Sequence, residues 1–178
     1  MATTSKQTRL REFQANLAER LRINAATPQD GNSKLGVRIG ERNWLVDLAE
    51  AGEILSVPAI APVPLTADWY RGLVNVRGNL ISVVDLQQFS GRPVTPLEKD
   101  SRLLAFNTRL QFNGAILITR MLGLRNLQRM EGRPVAEGRP AWVGQDYQDN
   151  EGAVWTELLL SQLIVDEGFL RVGRHLAA

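Results

Sequence analysis

Few residues in this chain could carry out chemistry, and its single histidine is the first to consider. His175 lies three residues from the C-terminus, and the sequence contains no cysteine. Histidine dyads, multi-histidine metal sites, thiol nucleophiles and disulfides therefore have no residues to form them. A Ser-His-Asp triad would depend on a residue in the tail, where chains are usually frayed. We expect no metal and no cofactor.

Carboxylate pairs are the remaining candidates for acid–base catalysis. Glu50 with Glu53, and Asp47 with Asp85, offer an acid and a base in principle. Their spacing specifies no pocket, and surface charge or turn formation explains them more simply. Glycine motifs that bind phosphates or dinucleotides are also missing from the sequence. We expect a protein that is not an enzyme, and a small hydrolase using paired carboxylates remains the alternative.

Arginine is the dominant basic residue and forms the next candidate surface. The net charge is only +2, although the isoelectric point is 9.4. Arginines crowd the stretch from Arg102 to Arg139, and acidic residues crowd the stretch from Asp146 to Glu167. A β-barrel that binds nucleic acid also needs aromatic side chains beside its basic residues. The aromatic residues here are scattered among apolar neighbours, so we expect no nucleic-acid partner and keep a basic nucleic-acid-binding β-barrel as the alternative function.

The elements that must position these residues begin with an amphipathic helix. Apolar residues recur at three- and four-residue steps between Lys6 and Ala26. Pro28 and the turn-forming residues that follow end this pattern and indicate a linker. We therefore divide the chain into an N-terminal helix and linker (1–33), a main domain (34–173) and a short tail (174–178).

From Leu35 onward the apolar period changes from about four residues to two, which is typical of strands. This pattern predicts a first pair of strands around Glu41-Arg42-Asn43 and a hairpin from Leu73 to Leu86 with a Gly78-Asn79 turn. Ala49 to Leu55 is expected to form a helical turn or an irregular connection. Pro58, Pro62 and Pro64 then exclude a helix or a central strand.

The second half of the chain repeats this alternation of strands and turns. Strands are predicted at Leu103–Phe106, Phe112–Ile118, Trp142–Val143 and Val154–Leu160. Ser161 is expected to cap a short helix, Gln162–Glu167, which Gly168 ends. Each half thus contains a hairpin followed by short strands, which suggests two similar lobes. Without strand–helix–strand alternation, the fold class is mainly β.

The length and the hydrophobic fraction of the chain are sufficient for one sizeable hydrophobic core or for two small cores that abut each other. The chain has 178 residues, of which 44% are hydrophobic. Its polar start, Met1 to Lys6, leads into no stretch typical of a signal peptide, and no apolar run has the length of a bilayer span. We expect a cytoplasmic protein without direct membrane insertion.

The stretch from Trp69 to Leu86 resembles the signature of CheW-like domains. It consists of a glycine, an apolar-Asn-apolar-Arg-Gly turn, and an apolar strand that ends in Asp-Leu. The likeness extends from Leu35 to Asp166. Further segments upstream and downstream of this signature are also similar to the family: Glu53-Ile54-Leu55, Val57-Pro58, Val63-Pro64, Gly114–Ile118 and Leu158–Leu163. Two positions depart from the pattern, because Ile118 stands where an aspartate is usual and a polar residue is usual near Leu159.

The resemblance implies a set of partner-binding residues: Glu53, Asn75, Arg77, Gly78 and Asp85. Arg77 would lie beside a two-residue turn, on a stiff hairpin suited to a bidentate contact. It could instead brace its own loop by pairing with a nearby carboxylate such as Asp85, and both roles stay open. Asn75 alternates with two valines, so its side chain can point away from the core and meet a backbone group.

The resemblance also implies a fold and a function. The fold would consist of two small SH3-like five-stranded barrels that share an apolar seam, with an N-terminal amphipathic helix and a short C-terminal helix. The protein would be a non-catalytic adaptor between the cytoplasmic tip of a chemoreceptor and the regulatory domain of a CheA-like histidine kinase, recruited to membrane-associated receptor arrays. The N-terminal helix and the closing stretch from Trp155 to Gly173 are most similar to the branch associated with type IV pilus twitching motility.

Overall fold

The structure is a computed structural model that describes residues 32–173. The predicted N-terminal helix, most of the linker and the tail, including His175, lie outside the described residues. The strands are β1 (Ser33–Ile39), β2 (Arg42–Asp47), β3 (Ala51–Ser56), β4 (Tyr70–Val76), β5 (Asn79–Val84), β6 (Arg102–Phe106), β7 (Gly114–Ile118), β8 (Arg120–Asn126), β9 (Glu131–Arg133), β10 (Val143–Gln148) and β11 (Val154–Leu158). The helices are α1 (Leu86–Phe89), α2 (Leu160–Leu163) and α3 (Glu167–Leu170), and the 3-10 helices are η1 (Thr108–Leu110) and η2 (Leu127–Arg129).

The strands form two sheets, which confirms the mainly β prediction. One sheet has the order β8-β1-β2-β11-β10-β9 and the other the order β3-β6-β7-β5-β4. We call them the six-stranded lobe and the five-stranded lobe. Most neighbours are antiparallel, whereas β2 with β11 and β5 with β7 are parallel pairs.

The two lobes do not correspond to the two halves of the sequence. Strands β3 to β7 form the five-stranded lobe without interruption, and they are inserted between β2 and β8 of the six-stranded lobe. The predicted hairpins are present, but the first pair, β1 and β2, joins strands from the end of the chain. Local alternation predicts strands one at a time, and it contains no signal for this long-range pairing.

The five-stranded sheet curls so that its two ends approach each other. Glu53 on β3 and Arg77 in the β4–β5 turn form an ion pair of 2.7 Å, although their strands lie at opposite ends of the sheet order. In a flat sheet these strands would be roughly 15 Å or more apart, at about 4.8 Å per neighbour. The curl agrees with the small barrel that the sequence resemblance implies.

An apolar seam joins the two lobes. Alternate residues of β6 and β7, including Leu104 and Ile116, pack with Val37 and Trp44 of the six-stranded lobe in one buried cluster. The residues between them, such as Leu103 and Leu117, pack inside the five-stranded lobe in a second cluster. Both faces of β6 and β7 are therefore buried, which explains their continuous apolar sequences.

The segment from Ala49 to Leu55 was expected to be a helical turn or an irregular connection, and this prediction is wrong. β3 begins at Ala51 and pairs with β6. It lies at the edge of its sheet, and residues Ala51 to Leu55 are all half-buried. Without a fully buried face, the strand shows no apolar alternation in the sequence.

The predicted helix Gln162–Glu167 is also wrong, because two separate helical turns, α2 and α3, occupy the region. Ser161 lies inside α2 and does not cap it. At the start of α2, the Leu160 N–H donates a hydrogen bond of 2.7 Å to the carboxylate of Glu50. Asp166 caps α3 through the Phe169 N–H, and Gly168 lies within that helix. The cap of α2 comes from 110 residues away, so local patterns could not reveal it.

Candidate functional site

The turn between β4 and β5 places an arginine at an exposed tip. Val76 is opposite Asn79 in the register, so the connection consists of Arg77 and Gly78 rather than the predicted Gly78-Asn79 pair. Both residues have positive φ, 53° and 88°, as a type I′ turn requires. Arg77 is thus part of the turn itself, in a backbone region that L-residues other than Asn and Asp rarely adopt.

Asn75 stabilises this turn from within the hairpin. Its side-chain Oδ1 accepts a hydrogen bond of 2.9 Å from the Gly78 N–H, and both residues are exposed. The predicted contact of Asn75 with a backbone group is therefore present. The apolar-Asn-apolar-Arg-Gly sequence makes its own rigid tip.

Arg77 pairs with Glu53 and not with Asp85, which was the brace suggested from the sequence. The Nη2 atom of Arg77 donates to Oε1 of Glu53 at 2.7 Å. The side chain of Arg77 is 69% exposed and that of Glu53 is 36% exposed. An ion pair this exposed adds little stability, so the guanidinium keeps donors that can face a partner.

An open groove of about 480 Å³ lies beside this ion pair. Its lining combines apolar residues, such as Leu55, Val76 and Ile81, with two glycines and a set of polar residues. The polar residues are Glu53, Arg77, Asn79, Asn107, Thr108, Gln111 and Asn113. A groove with apolar residues and an exposed arginine has the composition of a protein-binding surface.

The loop from Asn107 to Asn113 forms another wall of the groove, and no sequence motif predicted it. Asn107 caps η1 by accepting from the Arg109 N–H, and Asn113 donates to the Leu80 carbonyl of β5. The Phe112 ring packs edge-on against Phe106 with centroids 5.0 Å apart. Gly114 makes room for this ring, because a Cβ there would lie 2.4 Å from a Phe112 ring carbon.

Asp85, the remaining predicted site residue, lies apart from the others and is completely buried. Its carboxylate accepts from the Gln88 N–H, which caps α1, and from the N–H and hydroxyl of Thr95, each at 2.7 Å. Arg71 approaches it at 3.7 Å. Asp85 thus ties the end of the hairpin to the segment before β6, and we assign it an internal role rather than a place on the binding surface.

The carboxylates considered for catalysis have internal partners. Glu50 binds the first N–H of α2, and Asp47 pairs with Lys34 at 2.8 Å. Burial opposes the charged form of Asp47, but the hydrogen bonds and attraction from Lys34 and Ala49 outweigh it and lower its pKa. Within residues 32–173, no group of three or more acids and histidines has a geometry suited to a metal ion.

The two departures from the family pattern both fit the apolar interior. Ile118 ends β7 with no exposed surface and packs in the seam between the lobes. Leu159 is half-buried and forms the N-cap position of α2 without a side-chain cap. An aspartate at position 118 would be buried among apolar side chains, so the substitution by isoleucine is compatible with this core.

The arginine-rich stretch does not form one surface with aromatic side chains. Trp142 and Trp155 are 5% and 2% exposed, and both belong to the interior. Arg125 covers the Trp155 ring at 4.7 Å, and Arg139 pairs with Asp146. These two tryptophans are therefore not available for base stacking beside the arginines, which the nucleic-acid alternative would require.

No helix within residues 32–173 is long and apolar enough to cross a membrane. The groove beside the β4–β5 tip offers an apolar surface together with the charged side chains of Glu53 and Arg77. Such an arrangement can recognise a protein surface.

Comparisons with known proteins agree with this description. The sequence model of the CheW-like domain matches residues 34–167. Protein PilI of Pseudomonas aeruginosa (strain PAO1) is 35% identical over 85 residues, a match that spans 48% of this chain and 48% of that relative's length. The crystal structure of the scaffolding protein TtCheW from Thermoanaerobacter tengcongensis superposes with a TM-score of 0.65 at 20% identity, covering 78% of this chain and 96% of that chain. At this identity the superposition shows the fold.

Proposed function

The chain belongs to the CheW-like domain family, whose members are non-catalytic scaffolds, and we propose that it couples a methyl-accepting chemoreceptor to a CheA-type histidine kinase. The observation that carries this proposal is the exposed Arg77 on a rigid turn at the rim of the groove. In such a role the protein makes and breaks no bonds, and its output is the free energy of two interfaces.

The two partners are the cytoplasmic tip of the receptor and the regulatory domain of the kinase. Glu53, Asn75, Arg77 and Gly78 form the proposed contact surface together with the apolar groove. An arginine beside apolar side chains has the composition of an interface hot spot, in which few residues supply most of the binding free energy. Peripheral charges would mainly affect the association rate and specificity.

The signalling pathway that we propose is control of type IV pilus twitching motility. The support is the 35% identity with Protein PilI over about half of each chain. The adaptor would act in the cytoplasm and reach the membrane through the receptor array.

Reconstitution from purified components tests the proposal. We expect the full chain to form a ternary complex with a receptor signalling-tip fragment and a kinase regulatory domain in size-exclusion chromatography. Arg77→Glu should weaken at least one of the two contacts, because it places a carboxylate beside Glu53 and reverses the anchor's charge. Arg129→Glu makes the same charge change at an exposed arginine of the other lobe and should bind as the wild type does.

Failure of the wild-type protein to bind either partner would refute the adaptor function. Equal binding by Arg77→Glu and the wild type would instead remove Arg77 from the interface and leave the adaptor class intact.

A further inference from the structure

A second charged feature lies outside the groove, where β2 begins and α1 ends. Arg42 and Arg92 line one small hollow together with Ile39, Trp44, Gln87 and Ser90. None of these lining residues is acidic. Arg139 is linked to Arg42 through Asp146 and Thr156, because Arg139 pairs with Asp146 and the Thr156 hydroxyl contacts both Asp146 and Arg42.

One carboxylate, Asp146, lies near these three arginines, and each of its oxygens already accepts a hydrogen bond from another residue. Its Oδ2 pairs with Arg139, and its Oδ1 accepts from the Thr156 hydroxyl at 2.6 Å. Within residues 32–173, neither Arg42 nor Arg92 therefore forms an ion pair with a carboxylate at this cluster. In agreement, burial together with repulsion from Arg92 and Arg139 lowers the pKa of Arg42 despite the attraction of Asp146.

Neutral groups hold Arg42 in place. Its guanidinium carbon lies 4.8 Å from the centroid of the Trp44 ring, and its Nη2 donates to the Thr156 hydroxyl at 3.4 Å. The residue is half-buried. These contacts orient the side chain without placing it in an internal ion pair. Because the side chain is already oriented, it loses less conformational entropy when a ligand binds.

The backbone that carries Arg92 is fixed as well. The Arg92 N–H donates to the Gln87 carbonyl at 3.1 Å, and the Gln87 side chain donates to the Pro93 carbonyl at 2.7 Å. Gln87 also fits tightly over Gly40, where a Cβ would lie 1.3 Å from its Oε1 atom. The Arg92 side chain is exposed at the edge of the hollow and has a defined starting point.

The hollow has a volume of about 10 Å³, which is close to the space that one water-sized atom requires. A single oxygen atom of an anion fits this volume, with the remainder of its group outside. Arginine binds carboxylates through parallel N–H donors of its guanidinium group, and two arginines line this space.

We propose that Arg42 and Arg92, supported by Arg139, form a carboxylate-binding site that receives an aspartate or glutamate side chain from an acidic segment of a protein partner. The charge complementarity of the hollow defines the ligand class. The choice of a protein as the source of the carboxylate rests on the proposed adaptor function, whereas the anion site itself does not. The site would add a second contact, remote in sequence from Arg77, that orients the partner on the adaptor.

An NMR titration of the full chain with a short oligoglutamate peptide tests this site. We expect saturable shifts of the Arg42 and Arg92 Nε–Hε signals and of the Trp44 indole signal, which weaken as salt is added. An oligoglutamine peptide should cause no such shifts. Arg92→Gln should weaken oligoglutamate binding about fivefold, the loss of one partly exposed charged contact.

One variant serves as a control. Arg109→Gln removes an exposed arginine of the five-stranded lobe and should bind the peptide as the wild type does. The titration needs neither the receptor nor the kinase fragment, so that failure here and failure of the adaptor function are separate results. The absence of saturable shifts, or equal weakening by Arg92→Gln and Arg109→Gln, would overturn the proposal. Tighter binding of inorganic phosphate with the same shifts would overturn the choice of a carboxylate.

Discussion

Arg77 occupies a backbone conformation that its side chain does not favour. At φ 53° an ordinary L-residue is strained by about 1 kcal/mol, and asparagine or glycine would fit this turn position better. The exposed ion pair with Glu53 offsets this cost by at most about 1 kcal/mol. Stability therefore gives little reason for an arginine here, which agrees with a role in contacting a partner.

Replacing Arg77 with asparagine separates stability from binding. We expect Arg77→Asn to change the free energy of unfolding by less than about 1 kcal/mol, because relief of strain offsets loss of the ion pair. Binding of the receptor or kinase fragment should weaken. Leu65→Asn is the matched control, since Leu65 has φ 61° and is 61% exposed, and it should keep wild-type binding. Urea unfolding and calorimetric titration measure both effects, and unchanged partner affinity in Arg77→Asn would contradict this role.

Asp85 shows how a residue of the same sequence signature can serve the fold. Its buried carboxylate joins α1, Thr95 and Arg71. Asp85→Asn should lower the free energy of unfolding by about 2–4 kcal/mol, because Arg71 loses its counter-charge and the amide cannot accept all three hydrogen bonds. Urea denaturation measures the loss. A change below about 0.5 kcal/mol, the size expected for an ordinary surface substitution, would contradict the internal role.

At the scale of elements, the hairpin at the site was the most predictable part of the chain. Its apolar alternation and the glycine at the turn identify β4 and β5, although the turn pair is shifted by one residue. β8 was not predicted. Gly123 interrupts its apolar alternation, and the pairing of β8 with β1 shifts register between Gly36 and Val37. β3 escaped detection because it is an edge strand with half-buried residues. Strands with one buried face and regular pairing are predictable from local sequence, whereas edges and bulges depend on their neighbours.

Gly72 makes a bulge possible near the start of β4, in the strand that leads to the Arg77-Gly78 turn. Gly72 has φ 126°, and a Cβ at this position would lie 2.1 Å from the Ala61 carbonyl oxygen. The backbones are this close because Ala61 and Leu73 form an antiparallel β-bridge. Gly72→Ala should therefore lower the free energy of unfolding by about 3 kcal/mol or more. Gly91→Ala is the control, since Gly91 has φ 76° with nothing within 4 Å, and should cost about 1 kcal/mol. Equal losses in thermal unfolding would show that backbone strain alone matters.

At the scale of the molecule, the interleaved lobes explain what the sequence could and could not predict. The resemblance implied two lobes with a shared seam, and both are present, with six strands in one sheet and five in the other. The partner of Arg77, the cap of α2 and the wall of the groove all involve residues distant in sequence. Local patterns therefore predicted the hairpin that carries Arg77 but not the residues that surround it.

The six-stranded lobe contains several carboxylates that acid should affect. A hydrogen bond from Arg139 lowers the pKa of Asp146, and one from the Trp155 indole lowers that of Asp149, both below the ordinary value of 3.8. A group with a lowered folded-state pKa stabilises the fold above its unfolded pKa and loses this contribution as the pH falls through the folded value. We expect the free energy of unfolding to decline below about pH 4, with a shallower decline in Asp146→Asn. Urea unfolding between pH 5 and 3 measures this, and identical slopes would contradict it.

A charge swap, measured by calorimetric titration against the receptor and kinase fragments, tests the proposed contact of Arg77 with a partner. Arg77→Glu should weaken the affected contact by about tenfold or more, as expected for an interface anchor. Glu53→Arg combined with Arg77→Glu restores an internal ion pair of opposite orientation. We expect affinity to remain low in this double variant, because the partner still meets a glutamate at the turn. Recovery of wild-type affinity would show that the pair only braces the hairpin and would contradict the account.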